Sequence, residues 1–437
     1  MKEDIFEVLK DRIEKLDLDK PNGRVKRVVG LTIESEGPDA SLGEICKIFT
    51  KDKRILAEVV GFQDESVLLM PLEDATGLKP GCEVVKTGRI LDVGVSKDLT
   101  GRVLDGLGRP IDGKPFIPDD RYPISNESPH PLKRKRIEEP LPVGIRSIDG
   151  FITLGKGQRI GIFAGSGVGK STLLGMIARN TYADINVIAL IGERGREVRE
   201  FIERDLGEEG LKRSVVVVST SDQPALVRVK SLLTATAIAE YFRDMGHDVM
   251  LMVDSLTRWA MAQREIGLSV GEPPTTRGYT PSVFAGLPKI LERAGNSDKG
   301  SITAIYTVLV EADDFNDPIS DTVRSIVDGH IILSRNLAES NHYPPIDVLM
   351  SVSRLMKEVV SEEHQRSAAK LRDLMATYRN AKDLIDVGAY RKGSNPKIDT
   401  AIEMIDEINS FLRQGIFEKA PFETTVSRLL EMASKVI

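Results

Sequence analysis

The chain of 437 residues is too long for one ordinary hydrophobic core and predicts two to three domains. Its 41% hydrophobic and 29% charged residues are typical of a globular protein, and no apolar run approaches the roughly 18 residues of a membrane span. The formal net charge is −6, and the two cysteines, Cys46 and Cys82, do not form a pattern of zinc ligands.

Residues 1–20 predict a short N-terminal helix with an apolar stripe formed by Ile5, Phe6, Leu9, Ile13 and Leu16. The stripe fits two hypotheses: docking of a regulatory partner or a neighbouring subunit, and packing on the chain's own next domain. The segment lacks the apolar core of a signal peptide, so a cytoplasmic protein is expected.

Residues 21–92 contain short β-branched runs separated by turns, which predict a β-barrel domain. From Gly23 to Ile90 there are ten Lys or Arg, eleven Asp or Glu, and two aromatic residues, Phe49 and Phe62. A nucleic-acid-binding barrel needs basic excess and aromatic platforms, so no nucleic-acid partner is expected. The following stretch, GRVLDGLGRPIDG, is expected to be a turn-rich connector.

Residues 93–354 alternate continuous apolar strands with amphipathic helices, as in QRIGIFAG followed by KSTLLGMIARN. This alternation predicts a parallel sheet covered by helices on both faces. Beyond Arg354, residues 355–437 show helical periodicity alone and predict a helical domain.

The stretch FAGSGVGKST nearly matches the phosphate-loop pattern G-x-x-x-x-G-K-[ST], with Ala164 where the pattern has glycine. The predicted strand, loop and helix place backbone N–H groups and the positive end of a helix dipole towards phosphate. Lys170 would bind the terminal phosphates and Ser171 would bind Mg²⁺. We expect Ala164 to be the last residue of the strand, where a methyl group is tolerated.

Two further carboxylates end predicted strands of the same sheet. Asp254 ends DVMLMVD, at the edge where parallel sheets bind ligands, and it can hold Mg²⁺. Glu193 ends NVIALIGE and could activate a water molecule. The residues alone leave open a surface role for Glu193, paired with Arg194 or Arg196.

Four stretches resemble the rotary ATPase α/β-subunit family: VGIRSIDGFITLGKGQRIGIFAGSGVGKS, IGERGREVREF, VDSLTRWAMAQREIG and YPPIDVLMSVSR. Within it, DDFNDPISDTVRSIVDGHIILSR and DVGAYRKGSNPKIDTAI look like the flagellar and type III protein-export ATPases. The resemblance implies a multi-domain α/β protein with an N-terminal β-barrel, a central RecA-like P-loop parallel-sheet domain and a C-terminal helical domain.

The resemblance also implies roles for individual residues. The nucleotide-binding residues would be Gly165, Ser166, Gly167, Val168, Gly169, Lys170, Ser171 and Thr172 of the loop, with Tyr343 packing on adenine and Phe422 closing that pocket. The catalytic residues would be Lys170, Glu193, Arg194, Asp254, Arg258 and Arg354. Ser171 and Asp254 would hold Mg²⁺, and Arg354 resembles an arginine finger that acts in the site of a neighbouring subunit.

The implied function is ATP hydrolysis coupled to the export of flagellar proteins through a type III secretion apparatus. ATP or ADP and Mg²⁺ would be its ligands. The expected partners are further copies in a homohexamer, export-gate, stalk and regulatory proteins, and chaperone–substrate complexes, with peripheral membrane association at the inner face of the export apparatus through those partners. The alternatives are a virulence-type injectisome ATPase, the catalytic subunit of a proton-driven ATP synthase and, in another class, a hexameric RNA translocase or a non-catalytic scaffold subunit.

Overall fold

The structure is a computed structural model that describes residues 22–310 and 317–436. The helix predicted over residues 1–20 lies outside these residues. The chain forms two compact units. The first ends at Leu91 and includes Ile266–Glu272; the second contains Asp92–Glu265 and the chain from Pro273 onward.

Six antiparallel strands of the first unit close into a barrel in the order β1-β2-β5-β4-β3-β6. They are Gly23–Val29 (β1), Thr32–Glu36 (β2), Glu44–Phe49 (β3), Arg54–Gln63 (β4), Ser66–Pro71 (β5) and Glu83–Ile90 (β6). The β-branched and leucine side chains that point inward, among them Ile33, Ile48, Ile55 and Leu69, form one buried core. Cys46 and Cys82 are free and belong to the same core. The predicted barrel is confirmed.

The second unit is built on a large sheet whose strand order is β17-β16-β10-β15-β13-β11-β12-β8. Its strands are Arg102–Asp105 (β8), Arg159–Ala164 (β10), Ile185–Glu193 (β11), Ser214–Thr220 (β12), Asp248–Asp254 (β13), Gly295–Asn296 (β14), Ser301–Leu309 (β15), Gly329–Leu333 (β16) and Val352–Ser353 (β17), while Asp92–Val95 (β7) and Asp120–Pro123 (β9) form a separate pair. The pairs from β16 to β8 are parallel. β17 and β14 are antiparallel to β16 and β15. The central strands are buried on both faces, which explains their continuous apolar sequence.

The stretch GRVLDGLGRPIDG was expected to be a turn-rich connector, and this expectation is wrong for its first residues. Arg102–Asp105 form β8, which pairs in parallel with β12 at one end of the large sheet. The Arg102 guanidinium supports this strand by donating to the Asp112 carboxylate at 2.6 and 2.9 Å. The pairing joins residues more than 100 positions apart, so the local glycine content could not reveal it.

Helices cover this sheet and continue beyond it. They are Arg146–Phe151 (α1), Lys170–Asn180 (α2), Gly195–Glu200 (α3), Gly207–Lys212 (α4), Ala225–Asp244 (α5), Leu256–Ser269 (α6), Pro281–Leu291 (α7), Pro318–Ile326 (α8), Arg335–Glu339 (α9), Met356–Val359 (α10), Glu362–Asp386 (α11), Pro396–Leu412 (α12) and Phe422–Ser434 (α13). A π-helical segment, Phe201–Leu206, lies between α3 and α4. None of the helices in the described ranges is long and apolar enough to cross a membrane.

The last three helices confirm the predicted C-terminal helical domain. The first, α11, begins after Ser361, whose side chain accepts a hydrogen bond from the His364 N–H. Apolar residues of α11 to α13 share one core with α1 and the large sheet, and the rings of Phe151 and Phe411 meet edge to face at 6.3 Å. This shared core fixes the helical domain to the element that precedes β10.

Candidate active site

The phosphate loop connects β10 to α2. Ala164 is the last residue of β10, as expected, and its side chain is buried. Its backbone is extended and pairs with Leu309 and Leu333, so a methyl group is tolerated at this position. The loop then requires glycine twice, because φ is +76° at Gly167 and +101° at Gly169. Gly169 caps α2 without a side-chain hydrogen bond, which leaves the first-turn N–H groups available to an anion.

The loop opens into a cavity of about 370 Å³ at the carboxyl ends of the strands. Its wall contains the loop residues from 165 to 172 except Val168, together with Glu193, Arg194, Glu197, Glu200, Arg204, Asp205, Arg258 and Leu309. The Val168 side chain is buried in the core below the loop instead. The loop contributes first-turn N–H groups and the Lys170 ammonium to this wall, and both suit a phosphate chain.

Lys170, the first residue of α2, lies between two carboxylates. Its Nζ forms an ion pair with Asp254 and lies 3.8 Å from Glu193 Oε1. The three side chains are 10%, 2% and 15% exposed, respectively, and Thr307 Oγ1 donates to Asp254 Oδ1 at 2.9 Å. The parallel sheet brings Glu193 and Asp254 together because β11 and β13 are neighbours that end at the same edge.

Burial and, to a smaller extent, the nearby Asp254 carboxylate together raise the pKa of Glu193 to about 7, against the opposing charge of Lys170. A hydrogen bond between Glu193 and Glu197 also raises the pKa of Glu193 and lowers that of Glu197. When Glu193 is protonated, it is the donor in this hydrogen bond and the Glu197 carboxylate is the acceptor. A carboxyl group with a pKa near neutrality can exchange a proton with water at physiological pH.

Arg258, in the first turns of α6, places a second cation at the cavity. Its backbone N–H donates to Ser255 Oγ at 3.3 Å, and its Nε atom is buried without a hydrogen-bond partner. The aliphatic part lies against Gly192, where a Cβ atom would come within 3.1 Å of the Arg258 Cβ, and φ of Gly192 is +67°. A buried guanidinium N–H with no acceptor fits an incoming phosphate oxygen.

The oxygen atoms available for Mg²⁺ are the Ser171 hydroxyl at the cavity wall and the Asp254 carboxylate. Over residues 22–310 and 317–436 no group of three acidic, histidine or cysteine side chains could hold a metal by itself. This small set of hard oxygen donors fits Mg²⁺, which in phosphate sites binds one or two protein oxygens and completes its shell with phosphates and water.

The remaining predicted residues lie at different distances from the loop. Arg194 lines the cavity, but its side chain is 78% exposed and pairs with Glu197 at 3.3 Å. Tyr343 is 44% exposed, and its Cε1 atom would lie 3.8 Å from a Cβ on Gly169, so the ring borders the loop. Phe422, the first residue of α13, has its ring 6.2 Å from that of His364 and does not line the cavity. Its closing of the adenine pocket stays a prediction.

Arg354 follows β17, the strand at the opposite end of the sheet from β8. Its side chain is exposed and donates to the Arg324 carbonyl at 3.3 Å. It does not line the cavity of its own chain.

Two residues that the sequence reasoning missed also contribute. Glu197, four positions after Glu193, could have been identified from its spacing on the following helix. Thr307 lies inside a buried strand with no local signal, and only the pairing of β13 with β15 brings it to Asp254.

Comparisons with known proteins cover nearly the whole chain. The family model "ATP synthase alpha/beta family, nucleotide-binding domain" matches residues 144–353, the beta-barrel domain of the same family matches residues 25–88, and "T3SS EscN ATPase C-terminal domain" matches residues 360–431.

The chain is 57% identical to a flagellum-specific ATP synthase of Bacillus subtilis, with 97% of both chains covered. It is 53% identical to a type 3 secretion system ATPase of Xanthomonas euvesicatoria, with 93% of both covered. Among solved structures, the assembled ATPase EscN of the enteropathogenic E. coli type III secretion system is similar with a TM-score of 0.88 at 47% identity, covering 94% of this chain and all of that one. EscN in complex with its central stalk EscO gives a TM-score of 0.87.

Proposed function

The chain belongs to the ATP synthase alpha/beta family, and we propose that it is a flagellar export ATPase whose active site is completed by a neighbouring copy. It hydrolyses ATP in support of type III protein export. The observation that carries the chemistry is the Lys170 ammonium, placed beside Asp254 and Glu193 at the start of the phosphate-loop helix.

The loop and its helix bind the phosphates. Unpaired N–H groups of the first turn and the Lys170 ammonium neutralise the β- and γ-phosphate oxygens, and the phosphates replace the carboxylates as partners of Lys170. Mg²⁺, held by Ser171 and Asp254, would supply further positive charge against the same oxygens. Arg258 offers its buried Nε–H to the terminal phosphate.

Glu193 acts on the attacking water. As a carboxylate it accepts a hydrogen bond from the water, orients it towards the γ-phosphorus and can take up its proton; the protonated carboxyl group cannot take up that proton. Arg194, beside it at the cavity rim, is free to turn inward because its side chain is exposed. Tyr343 supplies a ring on which adenine stacks at the edge of the loop.

Arg354 supplies the last positive charge in the site of the next copy. This assignment is supported by its exposure and by its position outside the cavity of its own chain. It requires assembly, and we propose a homohexamer. The relatives described as assembled and as bound to a central stalk support the oligomer and a stalk partner. Export-gate and chaperone–substrate partners, and a cytoplasmic position at the inner face of the export apparatus, belong to the same proposal.

The match of residues 360–431 to the type III secretion C-terminal domain favours the export branch over a proton-driven ATP synthase. Flagellar rather than injectisome export is favoured by the 57% identity to the flagellum-specific relative, against 53% to the secretion-system relative.

The test uses a Bacillus subtilis strain that lacks its own flagellum-specific relative. We expect this chain to restore swimming. The purified chain should release phosphate from ATP in the presence of Mg²⁺, and the change Lys170→Ala should lower that rate at least about 10²-fold by removing a charge aimed at the transition state. Phosphate release that survives Lys170→Ala would contradict the active site; active enzyme that secretes injectisome substrates but never restores swimming would contradict the flagellar assignment.

A further inference from the structure

Gln158, immediately before β10, is buried and joins three segments of the second unit. Its Oε1 atom accepts the Gly155 N–H at 2.8 Å, and its Nε2 atom donates to the Asp328 carbonyl at 3.1 Å and to Ser353 Oγ at 3.0 Å. Asp328 precedes β16, and Ser353 ends β17. One amide side chain therefore contacts the start of β16 and the end of β17. These two strands form an antiparallel pair, called the hairpin below, although residues 334–351 lie between them.

The hairpin is the element that presents Arg354. Gly329 and His330 pair with Ser353 and Val352, and the Arg354 N–H donates to the Asp328 carbonyl at 2.9 Å. This is the carbonyl that also accepts the Gln158 amide. The Arg354 N–H and the Gln158 amide therefore bind the same oxygen atom.

Arg159, the next residue, strengthens the link. Its backbone N–H donates to the Asp328 carboxylate at 3.0 Å, its guanidinium donates to the same carboxylate at 3.2 and 3.3 Å, and its carbonyl accepts the Asp328 N–H at 2.8 Å. Arg159 is also the first residue of β10, which runs six residues directly to the phosphate loop. One end of β10 therefore carries the loop, and the other holds the hairpin of Arg354.

We propose that Gln158 is the positioning residue for Arg354: it sets the arginine that completes the neighbouring copy's site, and does not serve its own chain's loop. The inference rests on the proposed action of Arg354 in a neighbouring subunit. The Arg354 side chain is exposed and donates a hydrogen bond to the Arg324 carbonyl at 3.3 Å, and the buried Gln158 side chain, together with Arg159, ties the Arg354 backbone to the sheet through Asp328. A displacement of about 1 Å in a charged group of an active site can lower a rate about 10²-fold.

The test changes Gln158 to Met, which keeps the side chain's length and removes its hydrogen bonds. We expect Gln158→Met to bind a fluorescent ATP analogue as tightly as the unchanged chain and to hydrolyse ATP about 10²-fold more slowly. Thr303→Val is the matched control: Thr303 is equally buried and its Oγ1 accepts the Gly157 N–H at 2.8 Å, but it binds β15 to the same turn and does not contact the hairpin. It should lower the melting temperature to a similar extent and leave the rate unchanged.

Mixed assemblies identify which half of the shared site is damaged. Two variants are co-expressed with different tags and purified through both, so that every assembly contains both chains. Gln158→Met should regain activity with Glu193→Gln, whose Arg354 is intact, and should gain none with Arg354→Ala, whose Glu193 is intact.

Three results would overturn the inference. They are rescue of Gln158→Met by Arg354→Ala but not by Glu193→Gln, equal rescue by both partners, and full activity of Gln158→Met alone. The pair Glu193→Gln with Arg354→Ala is the control for the shared site: failure of that pair contradicts the proposed function, whereas its success with the reverse Gln158 pattern contradicts only the role of Gln158. If Gln158→Met does not fold, Ser353→Ala replaces it in the same pairs, since it removes the contact of Gln158 with β17 and leaves its contact with the Asp328 carbonyl in place.

Discussion

The two ends of β10 differ in whether the charged side chains near them are buried or exposed. At the carboxyl end, Lys170, Asp254 and Glu193 are nearly buried and satisfy one another within one chain. At the amino end, buried groups hold the β16–β17 hairpin, and Arg354, which follows it, has an exposed side chain. In the proposed mechanism, phosphate binding therefore uses groups of one chain, whereas Arg354 acts in the site of a neighbouring copy.

The largest effect is expected from Arg354→Ala, which tests the exposed charge held near the amino end of β10. Hydrolysis should fall about 10³-fold or more, because an arginine supplied by a neighbour stabilises charge that develops in the transition state. Nucleotide affinity and the melting temperature should stay the same, since the side chain is exposed. Phosphate release, nucleotide titration and thermal unfolding measure the three quantities. Arg366→Ala, on an exposed arginine of α11, is the control, and loss of nucleotide binding by Arg354→Ala would break the comparison.

Glu193→Gln tests the buried charged groups at the carboxyl end of β10. The rate should fall about 10²- to 10⁴-fold, because the amide cannot accept the proton of the attacking water. Since the pKa of Glu193 is raised to about 7, more of the carboxyl group is protonated as the pH falls below 7, and the wild-type rate should fall with it. The residual rate of the variant should not follow this profile. A wild-type rate that increases on acidification would contradict the role of Glu193.

Glu197→Gln tests what raises the pKa of Glu193. Because the hydrogen bond to Glu197 contributes to the raised pKa of Glu193, its weakening should lower that pKa and move the midpoint of the pH profile to lower pH. An unchanged midpoint would show that burial and Asp254 alone set the pKa of Glu193.

A smaller effect is expected from Tyr343→Ala. Loss of a stacking ring should raise KM for ATP about tenfold and leave kcat nearly unchanged, since the ring takes no part in the chemical step.

Phe422→Ala separates two roles for the ring at the start of the last helix. A raised KM supports closing of the adenine pocket, whereas a lower melting temperature at constant KM assigns the ring to packing on His364. Steady-state kinetics with ATP measure both variants.

Much of the buried site at the carboxyl end of β10 could be predicted from the sequence. Glycines at the positive φ angles of Gly167 and Gly169, and carboxylates at the ends of continuous apolar strands, are local signals of a site at a parallel-sheet edge. The barrel and the C-terminal helices follow from periodicity in the same way. Arg194, Arg258 and Arg354 needed the resemblance to the family, because an isolated arginine has no local pattern.

The remaining features depend on contacts between distant parts of the chain. The β8 strand is defined by its partner β12, and the segment REVREFIERDL, which predicts one helix, contains a π-helical stretch where the Asp205 backbone meets α2 at Gly175. Gln158 lies 170 positions from Asp328 and 195 from Ser353, so its role could not be inferred from its neighbours in sequence.

In the proposed mechanism, one active site is divided between two copies of the chain. Its most direct test is the ATPase rate of doubly purified assemblies that contain both Glu193→Gln and Arg354→Ala. We expect a rate well above that of either variant alone, because some interfaces then pair an intact Glu193 with an intact Arg354 from the next copy. A rate no higher than that of the separate variants would contradict it.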